Sequence, residues 1–404
     1  MPLFRYSANN VAMVRHCFTV VKHVLMKLNP GQIPVLTFDQ PLFALAKQVQ
    51  WHWPDCFGED KCVVMLGGLH IEMAALRMIG HWLDGSGWVH CLVQSGVATS
   101  GVAESFLHAS HVKRTRYAHT VTAAALYVCM QRLYKQYCVQ SDGIVLSFDE
   151  WCDERAKCSV QFKYWYTVFE LELTVLSFIR SVREGNFSLY IDTLLALAPW
   201  FFVCDQTNYA RWLPVHIRNM ILLENTHPDV FAKFRSGFFT VSKSHRRFSS
   251  VSIDQAHEQL NAVIKTDGGV VGLTENDAAL SRWTIAGPEI TRVIQEFEAS
   301  VERCTEPDDV RHHEQQPSFQ KHFRADVLNL LQVLTEEHPF SEWTAVDELV
   351  VLGTHVVAEK PVVETVKTAC QLGYAQLHTF VAERTQINIA TVICIVCIHM
   401  NGFN

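Results

Sequence analysis

A chain of 404 residues that is 49% hydrophobic and only 19% charged holds enough apolar sequence for two or three domains and excludes a disordered polyelectrolyte. The formal net charge of −7 gives no global attraction for nucleic acid, so only local basic runs could serve that purpose. Thirteen cysteines lie at irregular spacing among apolar residues, and Met1 opens no signal-peptide pattern. They read as reduced thiols of a nuclear or cytoplasmic protein that is not secreted.

In chain order, Val11 to Leu28 repeats apolar residues at helical spacing and stops at Asn29-Pro30-Gly31. Ile33 to Phe38 is a short apolar run, a strand that delivers Asp39 at its end. Pro41 opens a helix through Trp51, at a position where a missing N–H costs nothing. Lys61 to Leu66 reads as a second buried strand, and Gly67-Gly68-Leu69-His70 begins a helix through Trp82. Strand, helix, strand, helix predicts an α/β unit with parallel strands covered by helices.

From Val97 to Met220 the periodicity is helical almost without interruption, including Thr120 to Tyr137 and Tyr166 to Arg183; Arg211 to Leu223 continues the trend. Phe238 to Val241 reads as a strand returning to the sheet. Ile253, Ala256, Leu260, Val263 and Ile264 then share one helical face, with Asp254, His257, Glu258 and Asn261 on the next. Pro288 to Val301 and Phe319 to Leu334 are further helices, separated by the polar stretch Glu306 to Gln316. The run Ile387 to Met400 is shorter than the ~20 apolar residues a membrane span needs and resembles a non-native extension; no membrane association is expected. The expected organisation is an α/β unit at 1–96, an all-helical block at 97–238, a return strand and acidic helix at 239–304, a helical segment at 305–386 and an apolar tail at 387–404.

Five places carry candidate chemistry. Asp39 sits where open α/β sheets collect ligand-binding groups, and equally where a helix N-cap belongs. His70 follows two glycines at the start of a helix. His257, Glu258 and Asn261 crowd a carboxylate with a base and an amide at one-turn spacing, or form an ordinary solvated face. Asp205 and Asn208 read as caps of the following helix, with Arg211 and Trp212 suited to a phosphate and a stacked base. Lys243, Arg246 and Arg247 form a short basic run able to meet a polyanion or simply water. Cys394 and Cys397 form the only Cys-x-x-Cys pair, inside the apolar tail, so no structural zinc is expected. Phosphate-loop and nucleophile-elbow patterns are missing.

The arrangement Thr37-Phe38-Asp39, Gly68-Leu69-His70 and Asp254 to Asn261, with a long helical insertion, resembles the RNase H-like DDE transposases of eukaryotic cut-and-paste elements, in the hAT and P-element style. It also resembles transposon-derived proteins that carry the Leu-Gly-Gly-Leu-His and Asp-Gln-Ala-His-Glu-Gln blocks. The resemblance implies an α/β fold, an RNase H-like sheet interrupted by the helical block, acting on DNA phosphodiesters. Two Mg²⁺ or Mn²⁺ ions about 3.5–4 Å apart would be ligated by Asp39 and Glu258. His70, His257 and Asn261 would orient the ligands; Asp205, Asn208, Arg211, Trp212, Lys243, Arg246 and Arg247 would contact DNA, with a homo-oligomer as a further expectation. The family's earlier acidic residue on its first strand has no counterpart before Ile33. The expected enzyme is therefore N-terminally incomplete and catalytically impaired. The alternative is a non-enzymatic domesticated interaction protein that uses the helical block as a binding surface.

Overall fold

The computed structural model describes residues 9–141, 143, 145–244, 248–264, 276, 278, 286, 293, 296, 314, 316–340 and 347–384, with side chains 260–264 outside that description. The chain divides into two compact units. One comprises Met1–Gly68 with Phe239–Gln320, the other Leu69–Phe238 with Lys321–Asn404.

The first unit starts with α1 (Val11–Leu28), whose N-cap Asn10 accepts the amide of Ala12, and continues into β1 (Val35–Phe38). Helix α2 (Gln40–His52) is capped by Asp39, which accepts the Leu42 N–H at 3.1 Å, and Pro41 stands in its first turn. A short α3 (Pro54–Phe57) leads to β2 (Val63–Leu66), fully buried and paired in parallel with β1 from Val35–Val63 to Phe38–Leu66. Phe18 of α1 stacks on Phe38 at 6.1 Å and meets the edge of Phe57 at 5.6 Å, so aromatic burial ties α1 to the strand and to α3. Lys47 of α2 is fully buried; its ammonium donates to Gln50 Oε1 at 2.7 Å and pairs with Glu59. That partnership is what permits a charge at such depth.

The sequence predicts an RNase H-like sheet, and the structure corrects it. Among the described residues the parallel sheet has two strands, β1 and β2. The expected return strand does not join them: Phe238 is 71% exposed, and β3 (Val241–Ser242) instead pairs antiparallel with β4 (Ser250–Val251). The physical reason is that an apolar run specifies extended backbone but not its pairing partner, and a nearby hairpin closes a far shorter loop. Helix α14 (Ile253–Ile264) follows directly and packs on β1. The predicted helix Pro288 to Val301 and the apolar tail lie outside the described residues, apart from the isolated positions above.

The second unit is built of helices. Helix α4 (Gly68–Leu83), whose first residue belongs to the first unit, is followed by α5 (Trp88–Gln94), α6 (Ser100–Leu107) and the 29-residue α7 (Val112–Gln140). Helix α8 (Phe148–Cys158) starts with a capping box in which Ser147 and Glu150 satisfy each other's backbone amides. Helix α9 (Val160–Glu184) ends at Gly185 in the left-handed region, φ 66°. Helix α10 (Phe187–Val203) is apolar nearly all round, with Asp192 its sole charge, and is accordingly packed against α9, α11 (Thr207–Ile221) and a late helix. After α12 (Leu223–Thr226) and α13 (Pro228–Arg235), the chain returns to this unit with α15 (Pro317–Glu337), most of which belongs here, and α16 (Lys360–Arg384).

Helix α16 is the late partner of α10. Gly373 lies so close that an added Cβ would stand 2.7 Å from the Pro199 carbonyl oxygen, so the missing side chain sets the helix–helix distance. Gln161 of α9 holds the preceding segment like a backbone: its Oε1 accepts the Val350 N–H at 2.8 Å while its amide donates to the Val350 carbonyl at 3.4 Å. Trp165, Phe178, Tyr190 and Phe201 are almost fully buried among these helices. Each such side chain contributes about 1.5–3 kcal/mol relative to exposure. No helix among the described residues is long and apolar enough to cross a membrane, and the ten described cysteines are free thiols.

Candidate functional site

Of the residues expected around a two-metal site, Asp39, His257, Glu258 and Asn261 belong to the first unit and His70 to the second. At the C-terminal edge of the β1–β2 pair, the Gly67 N–H donates to the Phe38 carbonyl at 2.7 Å, placing Gly67 beside Asp39. The carboxylate set against this edge is Asp254, in the first turn of α14. A Cβ on Gly67 would lie 2.3 Å from Asp254 Oδ2, and one on Gly68 would lie 2.8 Å from Ser252 Cβ. The double glycine is therefore needed for close approach of α14. Glu258 and His257 are exposed on the same helix; Asn261 belongs to α14 but its side chain lies outside the described residues.

His70 belongs to the other unit, where its carbonyl accepts the Tyr209 hydroxyl at 3.0 Å. Glu72, one turn-mate of His70 in sequence, is spent on Arg116: Nε and Nη2 donate to its two oxygens at 2.6–2.8 Å in a forked pair. Among the described residues no group of three or more His, Cys, Asp or Glu side chains is arranged to hold a metal ion.

Asp205 adopts φ 48° in the turn between α10 and α11 and, like Asn208, is exposed. Neither caps α11: Gln206 takes the N-cap position and no side-chain bond forms there. Arg211 is exposed and Trp212 half-buried on α11; Lys243 is exposed, and Arg246 and Arg247 fall outside the described residues.

The polar geometry that sequence reasoning missed lies in the helical unit, in two places. The first is a buried pair. His119 of α7 and Glu172 of α9 meet at 3.1 Å with 2% and 0% of their side chains exposed. Burial pushes the His119 imidazole down to about 3, so it stands neutral at pH 7, and pushes the Glu172 carboxyl well above its usual range, favouring its protonated form. Trp88 stacks on His119 at 4.9 Å and donates its indole N–H to Thr122 at 2.9 Å. The pair joins α7 to α9 in the core.

The second is a cleft of about 750 Å³, a size typical of ligand pockets. It runs along the last turns of α7 from Cys129 to Gln140, beside α8 and the start of α9, and is closed by the end of α15 and Pro339-Phe340. Its floor is aromatic. Trp151 meets Phe162 edge-on at 5.5 Å, and Phe162 meets Phe340 at 5.1 Å. Its wall is basic: Arg132 donates to Thr335 Oγ1 at 3.4 Å, and Arg155 lies over the Trp151 ring at 5.9 Å. Gln136, Gln140 and His338 complete the polar lining, with no Asp or Glu among the described lining residues. Burial raises the Cys129 thiol to about 12, with Arg132 pulling weakly the other way, so the thiol in the cleft is protonated at pH 7.

No sequence motif announces this cleft because its walls come from residues 129–162 and 334–340, far apart in the chain. The one available signal is the density of aromatic residues from Tyr127 to Tyr166.

A chain dominated by packed helices, with a two-stranded parallel pair in one unit and a basic-walled cleft in the other, is not a DDE-type nuclease; that expectation, the RNase H-like fold and the transposase-derived description are all overturned by the architecture. The chain belongs to a family described as a domain of unknown function, DUF8702, which it matches over residues 1–144 and 139–390. No curated protein and no solved structure matches it.

Proposed function

We propose that this protein is a non-enzymatic interaction protein whose helical unit supplies the binding surface. The observation that carries this reading is the cleft along α7, α8 and α9, where an aromatic floor and two arginines are presented together by rigid helices. Aromatic and arginine side chains are the residue types that dominate binding energy at interfaces. A surface built on packed helices also holds its geometry better than one built on loops.

The test is site-specific photocrosslinking in the cell of origin, with the crosslinking residue replacing Gln136 in the cleft or the exposed Leu173 of α9 outside it. A discrete adduct from position 136, absent from position 173 and lost when Arg155→Glu is added, is the expected result. Equal adducts from both positions, or none from position 136, would overturn the reading.

A further inference from the structure

We infer that two copies of this protein associate through the first unit, pairing the outer edges of their β1 strands across a two-fold axis and packing their α1 helices beside the joined sheet. The association is independent of what the helical unit binds. The hydrogen bonds between the strands decide which way β1 faces. The Val63 N–H donates to the Pro34 carbonyl at 2.9 Å and the Gly67 N–H to the Phe38 carbonyl at 2.7 Å, so the even-numbered residues of β1 turn their backbone groups toward β2. Alternation along the strand turns the N–H and C=O of Val35 and Thr37 outward. Among the described residues no backbone partner meets them, because the sheet has two strands. The Thr37 hydroxyl is also covered without a hydrogen-bond partner. Within β1 there is no charge, proline or bulge, the devices by which native edges refuse a neighbour. On the far side β2 is wholly buried. Helix α14 begins against Gly67 and Gly68 at the end of β2 and also touches β1, so it crosses a face of the pair and leaves the edge alone.

One flank of α1 supplies the rest of the surface. Arg15 lies over the Trp53 ring at 4.6 Å and Lys22 donates to the Cys56 carbonyl at 3.3 Å, which sets the first flank against the end of α2 and α3. On the second flank Met13, Cys17, Val20, Val24 and Leu28 form an apolar row at spacings of three and four. The first four are half-buried and Leu28 is 72% exposed. Phe18 lies between the flanks and stacks on Phe38, so α1 rides over β1. Since α3 leads into β2, the flank turned away from α3 is the one nearer the outer edge of β1.

The occupant is a second copy because the edge complements itself. A two-fold axis through Leu36 sets Val35 opposite the partner's Thr37, and each such pair exchanges two hydrogen bonds. Every outward N–H and C=O of Val35 and Thr37 on both strands is then met. Neither β1 nor the α1 row carries a charge that would repel its own copy. Two-fold interfaces are also the commonest in soluble oligomers. The strand alone is too small for a stable interface, which takes about 1,000 Å² or more. Helix α1, with 18 residues, brings a row about 27 Å long to the same side.

The test follows the full chain across a dilution series by sedimentation equilibrium and by amide hydrogen exchange resolved at Val35 and Thr37. A monomer–dimer equilibrium is expected, with both amides exchanging at least tenfold more slowly in the dimer. Thr37→Pro removes an outward donor and no bond to β2, a substitution that edge strands accept, and should weaken association at least tenfold. Leu28→Lys changes an exposed position on the α1 row and should weaken it in the same direction. Near-ultraviolet circular dichroism checks that each variant is folded; if Thr37→Pro is not, Leu28→Lys and the exchange rates decide. A chain that stays monomeric at every concentration would overturn the inference, and protection of both amides in that monomer would assign the edge to a segment of the same chain. A dimer that every folded variant leaves unchanged, or one whose formation does not slow exchange at Val35 and Thr37, would overturn it as well.

Discussion

Glu72 and Glu172 show how differently two buried carboxylates are accommodated. Glu72 is met at both oxygens by the forked Arg116 guanidinium. Arg116→Ala leaves that carboxylate without its fork at 5% residue exposure, so a loss of about 3–5 kcal/mol is expected in denaturant unfolding. Glu172 instead gives up its charge beside a neutral His119. Its folded form keeps a proton that the unfolded chain releases above about pH 4.3, so its contribution is complete below that pH and is lost as pH rises. His119 runs the other way: its folded form stays neutral down to about 3, so its contribution is complete above about 6.5 and is lost as pH falls. Glu172→Gln removes only the first effect. The substitution should raise stability more at pH 8 than at pH 5, since each pH unit between the unfolded and folded values is worth about 1.4 kcal/mol. A gain that does not change with pH would show that Glu172 is not protonated in the fold. Neither role was visible in the chain, where Glu72 and Glu172 are each one acid among many.

At the scale of elements, the backbone of the reading survives where a signal is local. Asn29-Pro30-Gly31 ends α1, Pro41 opens α2, and the apolar runs at 33–38 and 61–66 become paired strands. Periodicity located α7, α9 and α11 because each buries one face along several turns. What local pattern cannot carry is partnership: Phe238 to Val241 had strand character without a sheet to join, and the cleft exists only once 334–340 reaches α7. Two glycines test packing against propensity. Gly373→Ala brings a methyl to 2.7 Å of the Pro199 carbonyl and should lower stability by about 1–3 kcal/mol despite better helix propensity. Gly101→Ala, in α6 with nothing within 4 Å, should raise it by about 0.4–1 kcal/mol. Paired urea midpoints decide; a gain at both positions would mean α16 does not set its distance from α10 at Gly373.

On the scale of the whole molecule, the helical unit is discontinuous in sequence, with 69–238 completed by 321–404. A chain stopped before Lys360 retains α9, α10 and α11 but lacks the helix that packs on all three. Such a chain is expected to keep its far-ultraviolet helical signal while losing near-ultraviolet ellipticity and a cooperative urea transition, as compact states without fixed packing do. A sharp native-like transition would show that α16 is an accessory.

The close seat of α16 on α10 also has a meaning in time. A ribosome adding about 5–20 residues per second needs on the order of ten to thirty seconds to travel from Val203 to Lys360. Through that interval the apolar surface of α10 waits in the cell without its last cover. That strip is then a ready target for any chaperone that holds apolar segments, and a chain truncated before α16 would keep the same strip uncovered.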